Sequence, residues 1–357
     1  MTPDSAVPGW DVSVPPPAEA AVSTAAPRSD RGTISVVITY YRGAGVICDA
    51  VESVLAQTVR PHEIVICDDG SPDDLQSALG ALREHVKVIR KENGGTGSAA
   101  NAAVRAASGE YVVQLDQDDA FLPRRLEAIA ETLRMRPDAD IVATDASIEM
   151  WGRRITTLEA VNPYPQTDHR VAMLRTCTFL WPAIRRSLLL AQGGYDESFR
   201  AIEDWDCFVR LVLGGAVIAY VHEPLYRWRL TPDSRSSQNR VAHLQDQVDL
   251  TEKALACSLL DRDERAVAEQ LLAGRRRSLA RECARRAIET RAPDARRLSL
   301  QLLTGAGFDR ATRAKAAVAV LSPRLAERLI TRRRRLADPA ILALAQRGFP
   351  APPANRS

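Results

Sequence analysis

The stretch Glu110-Tyr-Val-Val-Gln-Leu-Asp-Gln-Asp-Asp119 joins a β-strand pattern to a group of aspartates. In an extended strand alternate side chains share a face, so Asp116 and Asp118 are predicted to point the same way where the strand stops. Two carboxylates placed in this way suit a hard divalent cation, which can in turn hold phosphate. The alternative is an acidic turn in which an aspartate caps the helix that Pro123 opens.

Strand and helix patterns alternate on both sides of this stretch. Strand patterns rich in β-branched and apolar residues occur at residues 34–40, 63–67, 86–90 and 141–144, and helical patterns lie between them. This alternation predicts an α/β domain built on a twisted, mainly parallel sheet. The segment from about residue 145 to 235 is less regular.

Polar residues follow three of these strands. They are Thr39 and Tyr41, then 68–71, then 116–119. Ligands of parallel sheets bind beyond the carboxyl ends of the strands, so the three clusters are predicted to line one crevice. Asn93-Gly-Gly-Thr-Gly97 could bring backbone amides to the same crevice at a helix N-terminus, and a flexible turn is the alternative.

The composition excludes several classes of protein. The 357 residues are 45% hydrophobic and carry a net charge of +3, which is too small to imply nucleic acid as a partner. The six cysteines lack CxxC spacing, so neither a zinc site nor a disulfide framework is predicted, and a cytoplasmic location fits best. No apolar run in the sequence is long enough to cross a bilayer.

The two ends of the chain differ from the α/β part. Residues 1–31 are rich in Pro, Ala and Ser, lack the features of a signal peptide, and are predicted to form a disordered leader. Residues 237–357 are helical in pattern, with basic clusters at 275–277 and 332–335. These clusters indicate solvated helix faces. The alternative is attraction to an anionic surface, which would make the protein peripheral to the inner face of a membrane.

Six motifs in order along the chain resemble the family 2 glycosyltransferases of the GT-A fold. They are Ser35-Val-Val-Ile-Thr-Tyr-Tyr41, Ser53-Val-Leu-Ala-Gln-Thr58, Glu63-Ile-Val-Ile-Cys-Asp-Asp-Gly-Ser71, Gly109 to Asp119, Gly193-Gly-Tyr-Asp-Glu197 and Glu203-Asp-Trp-Asp206. The resemblance places a GT-A domain at residues 32–236. It covers neither the leader nor the helical region.

The resemblance implies an inverting, metal-dependent transfer of a sugar from a nucleotide-sugar donor, in particular a UDP-sugar. The acceptor would be a hydroxyl of a glycan, a lipid-linked sugar or a small molecule. Asp116 and Asp118 match the Asp-x-Asp motif that binds Mg²⁺ or Mn²⁺, with Asp118 as the direct ligand. Thr39 and Asp69 match donor contacts, Asp69 at the base, and the same crevice suggests Tyr41 and Asn93 as further donor contacts.

Asp204 matches the catalytic base of the family, and Glu203 matches the acidic residue before it. An alcohol nucleophile must lose its proton as it attacks, and a positioned carboxylate can accept that proton. If residues 203–213 are helical, Asp204 shares a face with Phe208 and Leu211. From the residues alone, the alternative is that Asp204 is only the N-cap of this helix.

Trp181 and Trp205 could stack on an acceptor sugar, although packing is the ordinary role of such aromatic residues. Two positions depart from the family pattern: Arg42 stands where many members have Asn, and Thr231 stands where many have His. Two other functions compete with glycosyl transfer. One is a sugar nucleotidyltransferase, and the other is a nucleotide-sugar-binding protein without transfer activity.

Overall fold

The structure is a computed structural model that describes residues 32–230 and 240–335. The chain divides into two compact units, whose described parts are these two ranges. The predicted leader at residues 1–31, the predicted domain boundary at 236/237 and Thr231 lie outside the described residues.

Four parallel strands form the first half of the sheet. Their spatial order is β3 (Lys87–Arg90), β2 (Glu63–Asp68), β1 (Ile34–Tyr40) and β4 (Tyr111–Asp116). The β-branched runs favour extended backbone, and β1, β2 and β4 are almost wholly buried, as expected for central strands of a parallel sheet. Thr39 lies in register with both Cys67 and Asp116, so the carboxyl ends of β1, β2 and β4 meet at one edge.

Three helices connect these strands. They are α1 (Ile47–Leu55), α2 (Leu75–Leu79), which runs into a 3₁₀ turn at Gly80–His85, and α3 (Thr96–Ala106). In α1, Ile47, Val51 and Val54 recur at helical spacing and are buried. The short, mostly small side chains of α3 allow it to pack closely on β1 and β2.

The second half of the sheet contains antiparallel pairs. The strand β8 (Ala183–Arg185) lies antiparallel between β4 and β6 (Ile141–Met150), and β9 (Ile218–Leu230) runs parallel to β6. The short strand β5 (Ala120–Phe121) pairs antiparallel with β9, and β7 (Arg153–Thr157) pairs antiparallel with β6. The predicted α/β fold is confirmed. The sheet is wholly parallel in its first half, and its antiparallel pairs are made by the short strands β5, β7 and β8. The sequence did not predict these three strands, because their segments show no regular alternation of strand and helix patterns.

Five helices complete the part of this unit that the structure describes: α4 (Arg125–Met135), α5 (Leu158–Val161), α6 (His169–Arg175), α7 (Arg186–Ala191) and α8 (Glu203–Leu213). The helix predicted to open at Pro123 begins two residues later, with Arg124 at its N-cap. Residues 203–213 are helical in the structure, which meets the condition under which Asp204 shares a face with Phe208 and Leu211, and this helix packs on α6.

The second unit is helical, as predicted. Its helices are α9 (Arg240–Ala256), α10 (Arg262–Glu289), α11 (Ala295–Thr304), α12 (Arg310–Leu321) and α13 (Pro323–Arg335). Asp261 and Glu264 form a capping box that starts α10. Small apolar side chains such as Ala287, Ala319 and Ala326 form a core of this unit. None of the helices in the two described ranges has the length and apolarity needed to span a membrane.

Candidate active site

Three aspartates form a cluster at the carboxyl end of β4. One carboxylate oxygen each from Asp116, Asp118 and Asp119 lies within 4.8 Å of the others. The convergence of Asp116 and Asp118 was predicted from strand alternation, and that reason is wrong. The strand ends at Asp116, and a turn closed by the Asp119 N–H donating to the Asp116 carbonyl (3.1 Å) brings the carboxylates together.

Asp119 is the buried member of the cluster, with 2% of its surface exposed. Its carboxylate accepts hydrogen bonds from the Tyr226 hydroxyl at 2.7 Å and from the Arg229 backbone N–H at 2.8 Å. Burial, followed by the negative charges of Asp116 and Asp118, raises the pKa of Asp119 well above its usual range. Asp119 belongs to the cluster at residues 116–119 that was predicted to line the crevice, but both of its hydrogen-bond donors lie on β9, far along the chain, and the motif gave no sign of them.

Asp116 is held from the other side of the cluster. The Trp181 indole N–H donates to its Oδ2 at 3.0 Å, and the Trp181 side chain is 7% exposed. Trp181 has a φ of 38°, in the left-handed region that a bulky side chain rarely adopts. This burial and this hydrogen bond favour the packing role of Trp181 over the predicted stacking on an acceptor sugar.

Gln117, the central residue of the Asp-x-Asp motif, joins β4 to the residue after β1. Its side chain accepts from the Tyr41 N–H at 2.9 Å and donates to the Tyr41 carbonyl at 3.0 Å. Gly43 leaves the space for this amide, because a Cβ there would lie 2.4 Å from Gln117 Oε1. Tyr41 is exposed, and Thr39 stands beside Asp116 in the sheet, so both predicted donor residues border the acidic cluster.

Asp69 is buried beneath the glycine-rich loop. Its carboxylate accepts from the Lys91 ammonium at 2.9 Å, from the Gly94 N–H at 3.0 Å and from the Gly95 N–H at 2.8 Å. The Asn93 side chain donates to the Asp69 carbonyl at 3.0 Å. In one of the two interpretations of this loop its amides face the donor, whereas in the structure the Gly94 and Gly95 amides bind Asp69. The base-reading role of Asp69 stays a prediction.

Glu203 and Asp204 open α8. The N-cap is Ile202, which makes no side-chain capping hydrogen bond, so the alternative that Asp204 is the N-cap is wrong. Asp204 is half-buried and its Oδ1 accepts from the Trp205 N–H at 2.7 Å. An ion pair between residues four apart lies on the same helix, with Arg210 Nε 2.9 Å from Asp206 Oδ2. Trp205 is 6% exposed and donates its indole N–H to the Met173 carbonyl, which favours packing over sugar stacking.

The charges of both acidic groups act on the buried Tyr195. Burial raises the pKa of its phenol, and the charges of Cys207, Asp204, Glu203 and Asp116 raise it further, in that order. Tyr195 therefore has the start of α8 and the end of β4 as electrostatic neighbours. Asp116 and Asp204 are 88 residues apart in the sequence, yet both influence the pKa of Tyr195.

Asn101 fastens this region to α3. Its side chain donates to the Tyr195 carbonyl and accepts from the Tyr195 N–H, both at 2.8 Å, and it also donates to Glu197 at 3.0 Å. Gly194 has a φ of 71°, and a Cβ there would lie 2.3 Å from Asn101 Oδ1. The sequence gave no signal for Asn101, because one asparagine in an Ala-rich helix has no distinctive spacing.

A surface cavity of about 350 Å³ lies elsewhere in the unit. Residues on one side of α6, including Val171, Ala172 and Arg175, line it together with Asn162 and Thr178. None of the predicted site residues lines this cavity. The acidic cluster and Asp204, and not the cavity, therefore define the candidate active site.

The fold has known counterparts among solved structures. S. aureus TarS 1–349 in complex with UDP-GlcNAc superimposes with a TM-score of 0.57 at 18% identity, covering 85% of this chain and 91% of that chain. The mannosyltransferase PcManGT of Pyrobaculum calidifontis, in complex with GDP-Man and Mn²⁺, gives 0.51 at 19% identity, covering 88% and 86%. At these identities the likeness concerns the fold alone, and it supports a GT-A fold for this chain.

The sequence matches place this fold in a family. Residues 35–189 match the description "Glycosyl transferase family 2". An uncharacterized glycosyltransferase of Rickettsia prowazekii (strain Madrid E) is 27% identical over 207 residues, 55% of this chain and 64% of the relative. Chondroitin synthase of Escherichia coli is 33% identical over 185 residues, 50% of this chain and 26% of that protein.

Residues 35–189 thus match family 2 of the glycosyltransferases, the family that the motifs resemble. The alignment spans less than two thirds of the length of either of these curated relatives.

Proposed function

We propose that this chain is a metal-dependent, inverting glycosyltransferase that moves a sugar from a nucleoside diphosphate to an acceptor hydroxyl. The observation that supports this most is the cluster of three carboxylates at the end of β4, together with a second acidic group at the start of α8 whose charges act on the same buried residue, Tyr195. The first group suits a diphosphate with its cation. The second suits the removal of a proton from an alcohol.

The acidic cluster has the donor set of a magnesium or manganese site. Asp116, Asp118 and Asp119 offer only carboxylate oxygens, the ligands that these hard cations prefer. Mg²⁺ or Mn²⁺ held there would neutralise negative charge that develops on the departing diphosphate. Asp118 is the exposed member of the three, and so it is best placed to reach a cation that arrives with the donor.

The residues of the chain act on the two ends of the reaction. Thr39, Tyr41, Asp69 and Asn93 border the donor crevice and bind the nucleotide. As the acceptor oxygen bonds to the anomeric carbon, the bond from that carbon to the phosphate oxygen breaks, and the nucleoside diphosphate leaves with the electron pair. Asp204 takes the acceptor proton, with Glu203 beside it. A single displacement inverts the anomeric centre.

The proposed donor is a UDP-sugar. TarS, which shares the fold, has been crystallised with UDP and with UDP-GlcNAc, whereas PcManGT was crystallised with GDP-Man. Asp69, at the carboxyl end of β2, is the residue proposed to read the base. Its Oδ2 accepts one hydrogen bond in the structure, and a carboxylate oxygen can accept two.

Calorimetry in Mn²⁺ tests the choice of base. We expect UDP to bind more tightly than GDP or dTDP, because a pocket that hydrogen-bonds one base leaves buried polar groups unpaired with another. The preference should shrink in Lys91→Met, which removes the ammonium that holds Asp69 in place. GDP or dTDP binding as tightly as UDP would contradict the uridine assignment.

Turnover separates this proposal from the competing functions. A glycosyltransferase should release the nucleoside diphosphate from its donor slowly when water replaces the acceptor, provided that Mn²⁺ is present. A binding protein without transfer activity would bind the donor and release nothing. A sugar nucleotidyltransferase would release pyrophosphate from a nucleoside triphosphate and a sugar phosphate.

The helical unit offers a surface for peripheral binding to an anionic membrane. Leu325 and Leu329, on α13, are 49% and 54% exposed, and Arg324 and Arg328 are exposed beside them. An exposed leucine edge next to a basic edge is the pattern of an interfacial helix. This surface supports a location at the inner face of a membrane.

Sedimentation with lipid vesicles tests the surface on α13. We expect binding to vesicles that contain phosphatidylserine and not to neutral vesicles, because each arginine near an anionic surface contributes about 1 kcal/mol. Leu325→Ser/Leu329→Ser should abolish the binding, whereas Leu300→Ser, an exposed leucine on α11, should not. Equal binding of the double variant and the wild type would contradict the proposal.

A further inference from the structure

Arg125 is a completely buried cation next to the candidate active site. It lies in the first turn of α4, with 0% of its surface exposed. Its guanidinium carbon lies 4.7 Å from the centroid of the Phe121 ring and 4.8 Å from that of Tyr226. Burial lowers the pKa of Arg125 to about 10, so the side chain is still charged at neutral pH. Burying a charge costs desolvation free energy, so a buried arginine needs a compensating role.

Only one of the three guanidinium nitrogens of Arg125 has a hydrogen-bond partner among the described residues, so little offsets the cost of burying its charge. Its Nη2 donates to the Trp181 carbonyl at 2.6 Å, whereas its Nε and Nη1 have no hydrogen-bond partner among the described residues. Of the ion pairs between described residues, none includes Arg125. A guanidinium placed only to stabilise the fold would gain more from a carboxylate partner.

The two residues that Arg125 contacts on the site side are those that hold the acidic cluster. Trp181, whose carbonyl accepts from Arg125, donates its indole N–H to Asp116. Tyr226, whose ring faces the guanidinium, donates its hydroxyl to Asp119. One side chain therefore touches the supports of two of the three clustered carboxylates.

We propose that Arg125 is a positioning residue for the acidic cluster. It fixes Trp181 in its left-handed backbone conformation through the carbonyl and fixes the Tyr226 ring through the cation–π contact. Asp116 and Asp119 are thereby aimed at a common point. This inference rests on the proposed function, since it concerns the affinity of the cluster for a divalent cation.

Mn²⁺ binding, followed by the loss of the electron paramagnetic resonance signal of the free ion, measures the effect directly. Arg125→Met keeps length and volume without the charge or the hydrogen bond. We expect Mn²⁺ affinity to fall about 10- to 100-fold, the usual cost of losing a group that orients a metal ligand. Arg125→Lys should lie between Met and the wild type, because it restores charge but not the planar contacts.

The matched control is Arg124→Met, the neighbouring arginine, which is exposed and pairs with Glu127. It should bind Mn²⁺ as the wild type does. If Arg125 only filled space, Arg125→Met would keep full Mn²⁺ affinity and would be as stable as the wild type or more so, because apolar replacement of a buried ion is often neutral or stabilising. That result would overturn the inference.

The variant Trp181→Phe tests the contact through which Arg125 is proposed to act on Asp116. It removes the N–H that binds Asp116 and keeps a ring in place, so its Mn²⁺ affinity should fall as well. If Arg125→Met does not fold, the Lys and Phe variants decide, and wild-type affinity in both would overturn the inference. A wild-type protein that binds no Mn²⁺ would instead contradict the metal dependence in the proposed function, and this inference with it.

Discussion

The variant Asp204→Asn should lose turnover by about 10²- to 10⁴-fold, the usual contribution of a positioned general base. Asn keeps the shape of Asp and can still accept from the Trp205 N–H, but it cannot take the acceptor proton. Donor affinity should change little, because Asp204 is proposed to face the acceptor. Turnover, calorimetric donor binding and melting temperature, all measured on this one variant, test the expectation.

Two comparisons sharpen the test of Asp204. Asp138→Asn changes an exposed aspartate that pairs with Arg136, and it should leave turnover unaltered. Since Ile202 is the N-cap of α8, the loss in Asp204→Asn cannot be assigned to a lost cap. A folded Asp204→Asn protein with normal turnover would leave the inverting mechanism without its base.

Removal of the Asp118 carboxylate should have the second large effect. In Asp118→Ala, we expect metal-dependent donor affinity to fall about 100-fold or more, because a bound cation contributes several kcal/mol at a developing phosphate charge and 1.4 kcal/mol is a factor of ten. Donor binding measured in EDTA should match that of the wild type. Calorimetry with and without Mn²⁺ supplies both values.

The neighbouring carboxylate provides a graded comparison. Asp116→Ala should weaken donor binding in a less uniform way, because Asp116 is also the acceptor of the Trp181 indole N–H. Removing it leaves a largely buried donor without a partner, so this variant should also melt at a lower temperature. If Asp118→Ala kept full affinity for Mn²⁺ and donor, the assignment of the metal site would be wrong.

The sequence predicted those parts of the fold whose conformation follows from the pattern of residues close together in the chain. The buried runs of β1, β2 and β4 and the amphipathic α8 follow from periodicity alone, because one or both faces of each must be apolar. The short strands β5, β7 and β8 did not appear as patterns. A strand of two or three residues owes its conformation to its partners, and its own composition says little.

In the candidate site, too, the residues within sequence motifs could be predicted and those that meet only in the fold could not. Asp116, Asp118 and Asp204 belong to motifs and could be named from the sequence. The residues that place them could not: Trp181, Tyr226 and Arg125 come from three separate segments that meet only in the fold. Asp69 shows a further limit, since its contacts with the glycine-rich loop are backbone interactions that leave no trace in residue type.

The contacts between Asn101 and Tyr195 limit how chimeras of this protein can be built. Asn101 satisfies both backbone groups of Tyr195, and Gly194 leaves no room for another side chain beside it. Segments 96–106 and 193–213 should consequently be exchanged together. Exchanging the second without the first would leave the backbone N–H and carbonyl of Tyr195 without their hydrogen-bond partner and would place a different side chain against Gly194. Exchange of the segment that carries Asp204 between relatives should therefore succeed only when α3 is exchanged with it.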